Sequence, residues 1–418
     1  MEPGAHAARK PRPPERPPEV QPPQGDAEHG TGSPAFPPGV ESREHCLEAP
    51  LIYLDNQATT RLLPAVLDEM LPWLQGEYGN PSSVHGMGRK AREAVEHARE
   101  RVAKLINARP YEIIFTSGGT EANNLAIRGL LQPGHEALVS AVEHASVFEA
   151  WDNKKVVKPD PLGRIHAGQV SELLGLKTRL VAVMAANNEV GTINDVTHIG
   201  GELPGDVFFH IDAVQMVGHM PFDVRATHAS TASLSAHKIH GPKGVGALFV
   251  NHKAARKLRP LVGGGGHERG KRSGTLNVAG IVGFGAACKN ILEVQEVVAD
   301  HVRNVRDELW SRLRALLGDR VQLVGPATHG TGRLPHNLTV QFLGCEARAL
   351  VTTLADEVAC STGSACSSLS FEPSRVLTAM GMTDKEAMEV VRLSVSTFTT
   401  PGEVEEACQK VAAVVESL

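Results

Sequence analysis

The sequence predicts an α/β fold in which a mainly parallel sheet is covered by helices on both faces and is followed by a second, smaller lobe. Three observations carry this. From Leu51 onward short apolar runs alternate with helical patterns, the signature of βα units. Most of those runs end in Gly, Ser, Asn, Asp or His, at the strand ends where the crevice of an open α/β sheet binds its ligand. The composition, 41% hydrophobic and 21% charged, is that of an ordinary globular chain able to bury a large core.

Taken in order, residues 1–50 hold 12 of the 27 prolines and few apolar side chains, and they read as a disordered or polyproline-like arm. That arm is either a tether or docking segment or a dispensable extension. Residues 88–107 place Ala91, Val95, Ala98, Val102, Leu105 and Ile106 at three- and four-residue steps, as an amphipathic helix requires. Apolar runs follow at 112–115, 137–140, 180–185, 207–211, 232–235 and 245–250. A helical pattern near 281–317 leads to a C-terminal portion with further strand signals and a last helix near 403–418. The expected organisation is therefore an arm over 1–50, a small-lobe segment over 51–65, a large lobe over 66–299 and a small lobe over 300–418.

The 418 residues carry 42 Lys+Arg against 47 Asp+Glu, a formal net charge of −5, which argues against a protein that binds nucleic acid by neutralising phosphates. No apolar run approaches the roughly 18 residues of a membrane span, and the first 30 residues lack a signal peptide's apolar stretch. The expected location is cytoplasmic, with no membrane partner. The six cysteines, at 46, 288, 345, 360, 366 and 408, have no zinc-type spacing and are too sparse for a disulfide scaffold. No metal site is expected.

Three constellations carry chemistry. The run from Ile113 to Asn124, IIFTSGGTEANN, is a strand, a small-residue turn and a helix start, which offers backbone N–H groups to an anion. It lacks dinucleotide and nucleoside-triphosphate spacing, so a small phosphate-bearing ligand or a plain capped turn both fit. His210-Ile211-Asp212 ends one apolar run in an acid, and Ser235-Ala236-His237-Lys238 ends another in a lysine. Alone, Lys238 reads as a surface lysine. Together the three parts match what pyridoxal phosphate needs: an amine for its Schiff base, an acid to keep the pyridine nitrogen protonated, and a phosphate cradle.

At this point the chain resembles the cysteine desulfurases of the class V aminotransferase family. The resemblance covers about 51–418 and rests on LDNQATT at 54–60, GNPSS before His85, FTSGGTEANN, VEH at 142–144, ANNEVG at 186–191, HIDAVQ, SAHKIHGPKG, RSGTLN at 272–277, STGSACSS at 361–368 and VRLS at 391–394. It implies a fold-type I pyridoxal-phosphate enzyme, with a mainly parallel seven-stranded sheet in the large domain and a smaller α+β domain. The implied cofactor is pyridoxal 5'-phosphate, bonded to Lys238. Asp212 would pair with the ring nitrogen, Gln215 with the phenolic oxygen, and His144 would stack on the ring. Gly119, Thr120, Ser235 and His237 would hold the phosphate, joined by Thr275 from the partner subunit of a homodimer. Asn188 would lie beside ring and substrate, and Arg392 would clamp the carboxylate of L-cysteine through its paired donors.

Cys366 is the expected nucleophile. It lies in a run of small polar residues suited to an exposed loop, whereas Cys360 follows an apolar-rich segment and reads as packed, with a relay thiol as its alternative role. The implied reaction converts L-cysteine to L-alanine and leaves sulfur on Cys366 for an iron–sulfur scaffold or another sulfur carrier. A selenocysteine lyase and an ordinary class V aminotransferase are the alternatives. Two departures from the family pattern are Thr397, where an arginine is usual, and Asn56 after Asp55. Arg269 and Arg272 read equally as site residues or as solvated charge.

Overall fold

The computed structural model describes residues 51–363 and 372–418; the proline-rich arm and Cys366 lie outside the described residues. Seven strands build the main sheet: β1 (Ile113–Thr116), β2 (Glu136–Ser140), β3 (Lys154–Val157), β4 (Thr178–Ala182), β5 (Phe208–Asp212), β6 (Thr231–Ser235) and β7 (Gly246–Val250). Their spatial order is β1-β7-β6-β5-β4-β2-β3. Only β7 runs against its neighbours; β6, β5, β4, β2 and β3 pair in parallel.

Alternation along the strands explains why both faces are covered. Ile113, Phe115, Leu138, Val181, Ala232 and Leu234 belong to one apolar cluster, with Ala98 and Val102 of helix Gly86–Leu105 and Phe284 of helix Val278–Leu317. The intervening Ile114, Ala137, Val139, Leu180 and Leu248 join a cluster with Leu125 and Ile127 of helix Gly119–Leu130 on the other side. The two long helices approach closely because Gly285 is bare: a Cβ there would lie 2.7 Å from Ala98 Cα.

Most expected runs are strands within a residue or two. The run 180–185 is shorter as a strand because β4 ends at Ala182; Val183 and Ala185 still donate to the carbonyls of His210 and Asp212, at 3.2 and 2.9 Å. Strand β3 carries no apolar alternation of its own. As an edge strand it exposes Lys155, a side chain that discourages pairing with another chain.

Helix Val278–Leu317 spans 40 residues and supplies two cores. Its Ile281 and Ile291 pack in the main cluster, whereas Val302, Val305, Leu309 and Leu313 pack with Leu338, Val340, Leu393 and Val411 in a separate one. That second cluster lines a four-stranded antiparallel sheet, in the order Ser361–Thr362, Val390–Ser394, Asn337–Phe342, Val321–Leu323. The final helix, Pro401–Ser417, is started by Thr400 and Glu403 in a capping box. Ile52–Tyr53 pairs in parallel with Val358–Ala359, so the chain passes from this second region to the main sheet through residues 54–60.

Candidate active site

Three strand ends meet through register. Ser235 pairs with Gly246, which pairs in turn with Thr116, so β6 and β1 end on the same edge of the sheet with only a glycine between them. A Cβ on Gly246 would lie 2.7 Å from Gly118 Cα. Gly118 takes φ +156° and starts helix Gly119–Leu130, and a Cβ on Gly119 would meet Val214 Cγ2 at 2.8 Å. Bare glycine at 118–119 thus brings the positive end of this helix to the strand edge that carries Ser235 and His237. Thr120 is exposed in its first turn.

Asp212 ends β5 and is 4% exposed. Its Oδ2 accepts from Asn123 Nδ2 at 2.8 Å and its Oδ1 from the Val214 N–H at 3.0 Å. The Asn123 amide also donates to Ser146 Oγ at 2.8 Å, and Asn123 Oδ1 lies 3.0 Å from His210 Nε2, whose Nδ1 lies 2.9 Å from Thr231 Oγ1. Burial pushes the His210 imidazole down to about 4, so it is neutral at pH 7 and its Nε2–H donates to Asn123. Ser146 continues the network: its N–H donates to His144 Nδ1 at 3.1 Å, and its Oγ lies 2.7 Å from the same nitrogen. Asp212 and His144 are therefore oriented by one buried amide.

Lys238 follows β6 in a short 3-10 turn. Its Nζ donates to the carbonyls of Gln57 and Ala58, each at 2.7 Å. Gln57 O also accepts from Gln215 Nε2 at 3.2 Å, so Lys238 and Gln215 converge on one oxygen. On the other side of Lys238, His219 Nε2 lies 3.1 Å from the Lys238 carbonyl, and its ring stacks on His336 at 3.9 Å between centroids. Burial drives His219 down to about 4 and His336 well below its ordinary value. His237 is also driven down to about 4, by burial first and then by Lys238 and Lys243, and its Nδ1 lies 3.2 Å from Thr59 Oγ1.

Arg392 is 2% exposed on strand Val390–Ser394. Its Nη2 donates to Asp55 Oδ1 at 2.7 Å and its Nη1 to the Asn188 carbonyl at 2.8 Å. Among the described residues, Arg392 Nε, Gln215 Oε1 and Asn188 Oδ1 are buried polar atoms with no hydrogen-bond partner. Asn56 holds this corner by donating to the carbonyls of Tyr53 and Ser394, at 3.2 and 2.9 Å.

The remaining expected residues are placed as follows. Thr275 is exposed. Arg272 pairs with Glu121 at 2.9 Å, and Arg269 donates to the Ile113 carbonyl at 2.6 Å, so neither is a freely solvated charge. Cys360 is packed, and burial pushes its thiol up to about 12. Asp55, Gln57 and Asn123, which lie inside the motifs at 54–60 and 115–124, and Ser146, two residues beyond VEH, were not singled out as site residues, yet all four orient site residues. Their signal was a polar side chain inside an otherwise apolar or small-residue motif.

The sheet order, with its single antiparallel strand, and the lysine and aspartate at neighbouring strand ends define the fold-type I architecture of pyridoxal-phosphate enzymes. The aminotransferase class-V profile matches residues 52–406. Among curated proteins, the cysteine desulfurase IscS of Anaeromyxobacter dehalogenans (strain 2CP-C) is 43% identical over 367 residues, covering 85% of this chain and 90% of that protein. The cysteine desulfurase IscS of Stutzerimonas stutzeri (strain A1501) is 40% identical over 383 residues, 88% of this chain and 93% of that one. Among solved structures, a NifS-like protein superposes with a TM-score of 0.80 at 35% identity, over 88% of this chain and 99% of its own. SspA in complex with cysteine does so with a TM-score of 0.70 at 31% identity, over 83% of this chain and 99% of its own. The chain belongs to the class-V aminotransferase family, and within it to the cysteine desulfurases.

Proposed function

We propose that the protein is a pyridoxal 5'-phosphate-dependent cysteine desulfurase that converts L-cysteine to L-alanine and takes up the sulfur on Cys366. The observation that carries this reading is the convergence of Lys238 and Gln215 on Gln57 O, with Asp212 at the neighbouring strand end. The residues fit the cofactor. Gln215 Oε1 and Asn188 Oδ1 are buried without partners among the described residues, as side chains that meet a bound group would be. Helix Gly119–Leu130 begins at the strand edge that carries Ser235, so the N–H groups of its first turn offer a phosphate the positive end of a helix there.

Lys238 is the residue that would bond the cofactor. Asp212 would hold a proton on the ring nitrogen, Gln215 would contact the phenolic oxygen and His144 the ring face. Gly119, Thr120, Ser235 and the neutral donor His237 would bind the phosphate, with Thr275 of a second subunit in a homodimer. When bound, pyridoxal phosphate supplies a sink for the electron pair left when the substrate loses its Cα proton.

Arg392 receives the substrate carboxylate. Asp55 and the Asn188 carbonyl fix its guanidinium plane, and its unpartnered Nε marks donor capacity that remains for a ligand. Lys238 Nζ, aimed by the two carbonyls of residues 57 and 58, moves the Cα proton. The Cys366 thiolate then attacks the substrate sulfur: an S–S bond forms, the Cβ–S bond breaks, and its electron pair stays with the carbon skeleton, which gains a proton at Cβ and takes one back at Cα from Lys238 to give alanine. Cys360 is unsuited to that step, because a thiol pushed up to about 12 is protonated at neutral pH. The persulfide would pass to an acceptor protein, an iron–sulfur scaffold or another carrier.

The test is to incubate cofactor-loaded protein with L-cysteine, quantify alanine and map the persulfide by mass spectrometry, with Cys366→Ala in parallel. Alanine and a Cys366 persulfide, both lost in the variant, are expected. Undiminished alanine in the variant would favour an aminotransferase or lyase, and faster turnover of selenocysteine than of cysteine would favour the latter.

A further inference from the structure

His219 and His336 stack ring on ring beside the main chain of Lys238, with the planes 31° from parallel. His219 sits on the turn that follows Asp212 and Gln215, and its N–H donates to the Met216 carbonyl at 3.1 Å. Its ring is neutral, and a carbonyl can only accept, so the ring proton is on Nε2 and is donated to the Lys238 carbonyl. His336 immediately precedes strand Asn337–Phe342 of the four-stranded sheet. Its carbonyl accepts from the Val395 N–H at 3.1 Å, and Arg306 Nη1 lies 3.3 and 3.4 Å from the flanking carbonyls of Leu334 and Asn337. His336 is 2% exposed, and both of its ring nitrogens are buried without a hydrogen-bond partner among the described residues. The ring therefore acts through its flat face, and that face meets His219. The next residue reaches Lys238 by a second route: Asn337 Nδ2 donates to Gln57 Oε1 at 2.8 Å, and Gln57 offers its carbonyl to Lys238 Nζ.

We propose that His336 is a positioning residue for Lys238, holding the His219 ring against the lysine's carbonyl so that the four-stranded sheet fixes where the amine can reach. The proposal rests on the reading of Lys238 as the residue that bonds the cofactor and moves the Cα proton. A lysine amine rides on a flexible four-carbon stem, so a shift of its main chain displaces the whole arc that the amine can sweep. Proton transfer needs the two heavy atoms within about 2.6–3.2 Å, and a misplacement of about 1 Å costs about a hundredfold in rate. The choice of histidine argues for a role other than stability: an imidazole without hydrogen-bond partners is costly to bury, and a hydrocarbon of similar size would pack there at lower cost.

Burial, and after it the neighbouring His219, Arg392, Arg306 and Lys238, keep the His336 ring neutral. Arg392 offers a competing role, since His336 could act on substrate binding by packing near that cation. The two roles separate kinetically: a displaced Lys238 lowers kcat, and a displaced Arg392 raises KM.

The experiment compares His336→Leu, His336→Ala, His219→Ala and the double variant His219→Ala/His336→Leu as full chains. It reads kcat and KM for alanine formation by cofactor-loaded protein, Tm, and, in apo and loaded protein, amide hydrogen exchange over residues 236–241, where the Ile239 and Gly241 N–H groups donate to the Ala236 carbonyl. Leucine fills the space of the ring, so His336→Leu should melt no lower than the parent while losing about tenfold or more in kcat, with KM within about twofold and severalfold faster exchange over 236–241. His336→Ala should show the same kinetic loss together with the lower Tm of a cavity. In the His219→Ala background, His336→Leu should cost nothing further, because its route to Lys238 has already been removed. A His336→Leu kcat equal to the parent's, an undiminished further loss in the His219→Ala background, unaltered exchange, or a rise in KM at constant kcat would overturn the positioning role. A parent protein that forms no alanine from L-cysteine would overturn the functional reading instead, with the exchange rates of the single and double variants still deciding whether His336 holds the Lys238 turn through His219.

Discussion

Asn123 Nδ2 lies 2.8 Å from Asp212 Oδ2 and donates to it from the inner face of helix Gly119–Leu130. This one amide also meets Ser146 and His210, so it couples the carboxylate at the end of β5 to the segment that carries His144. Replacing it with alanine strips partners from three buried polar groups at once. Such groups cost about 1–3 kcal/mol each when left unsatisfied. Asn123→Ala should therefore weaken pyridoxal phosphate binding about ten- to hundredfold, which titration of the apo-protein followed by cofactor absorbance would measure. Unchanged affinity would mean that Asp212 keeps its orientation without the amide.

Arg392 makes two directed contacts with different N–H groups, to Asp55 Oδ1 and to the Asn188 carbonyl. A lysine ammonium is a point charge without the planar fork, so it cannot keep both contacts and also present paired donors to a carboxylate. Arg392→Lys should raise KM for L-cysteine about ten- to hundredfold while kcat changes far less. Steady-state alanine formation checks this. An equal fall in kcat at constant KM would move Arg392 from substrate binding to the chemical step.

The parts of the site legible in the sequence were those whose chemistry is local to a motif. Lys238 and Asp212 follow apolar runs, and alternation in those runs was enough to predict strands and thus a shared sheet edge. The strand, small-residue turn and helix start at 113–124 were legible, although Gly246, which lets β1 and β6 end side by side, gave no signal: its role depends on register between strands far apart in sequence. Gln57 was hidden for a related reason. Its backbone carbonyl, rather than its side chain, receives Lys238, and backbone roles leave little trace in residue identity. The edge strand β3 was missed because Lys154 and Lys155 break the apolar pattern.

Glu143 and Glu189 are both pushed up to about 7, in each case chiefly by burial. In the unfolded chain they titrate near the ordinary glutamate value of about 4.3. The folded form therefore holds more protons between those limits, so the stabilisation they contribute is full below about 4.3 and is lost as pH rises through about 7. His210, His219 and His237, lowered to about 4, act in the opposite sense: their contribution is present above about 6.5 and lost as pH falls through 4. The two sets oppose each other at pH 5–6, so whole-protein curves obscure both. A difference measurement isolates the carboxylate. Glu143→Gln keeps an oxygen to accept from Ser140 Oγ and the Met184 N–H, contacts that Glu143 Oε1 makes at 2.6 Å each. Its Tm relative to the parent should rise between pH 5 and pH 8, and a pH-independent difference would show that Glu143 titrates as an exposed carboxylate does.

Gly246 and Gly201 provide a matched pair of glycine-to-alanine tests. At Gly246 a Cβ would come 2.6 Å from the Leu234 carbonyl and 2.7 Å from Gly118 Cα, both backbone atoms that cannot turn aside. Strands β6 and β7 would have to part from the 118–119 turn, at a cost of about 1–3 kcal/mol by analogy with overpacked cores. Because that turn leads into the helix whose N-terminus is the proposed phosphate site, Gly246→Ala should also weaken cofactor binding. Gly201 lies in helix Val196–Glu202 with nothing within 4 Å of its Cβ position, so alanine there should stabilise by about 0.4–1 kcal/mol through the unfolded chain alone. Thermal melts with and without pyridoxal phosphate would separate the two effects. Gly246→Ala should lose both Tm and the cofactor-induced increment in Tm, whereas Gly201→Ala should gain Tm and keep that increment. If Gly246→Ala instead lowered Tm but kept the full increment, the close approach of β7 to residues 118–119 would serve the sheet alone, and the anion site would be set by the helix rather than by the strand edge.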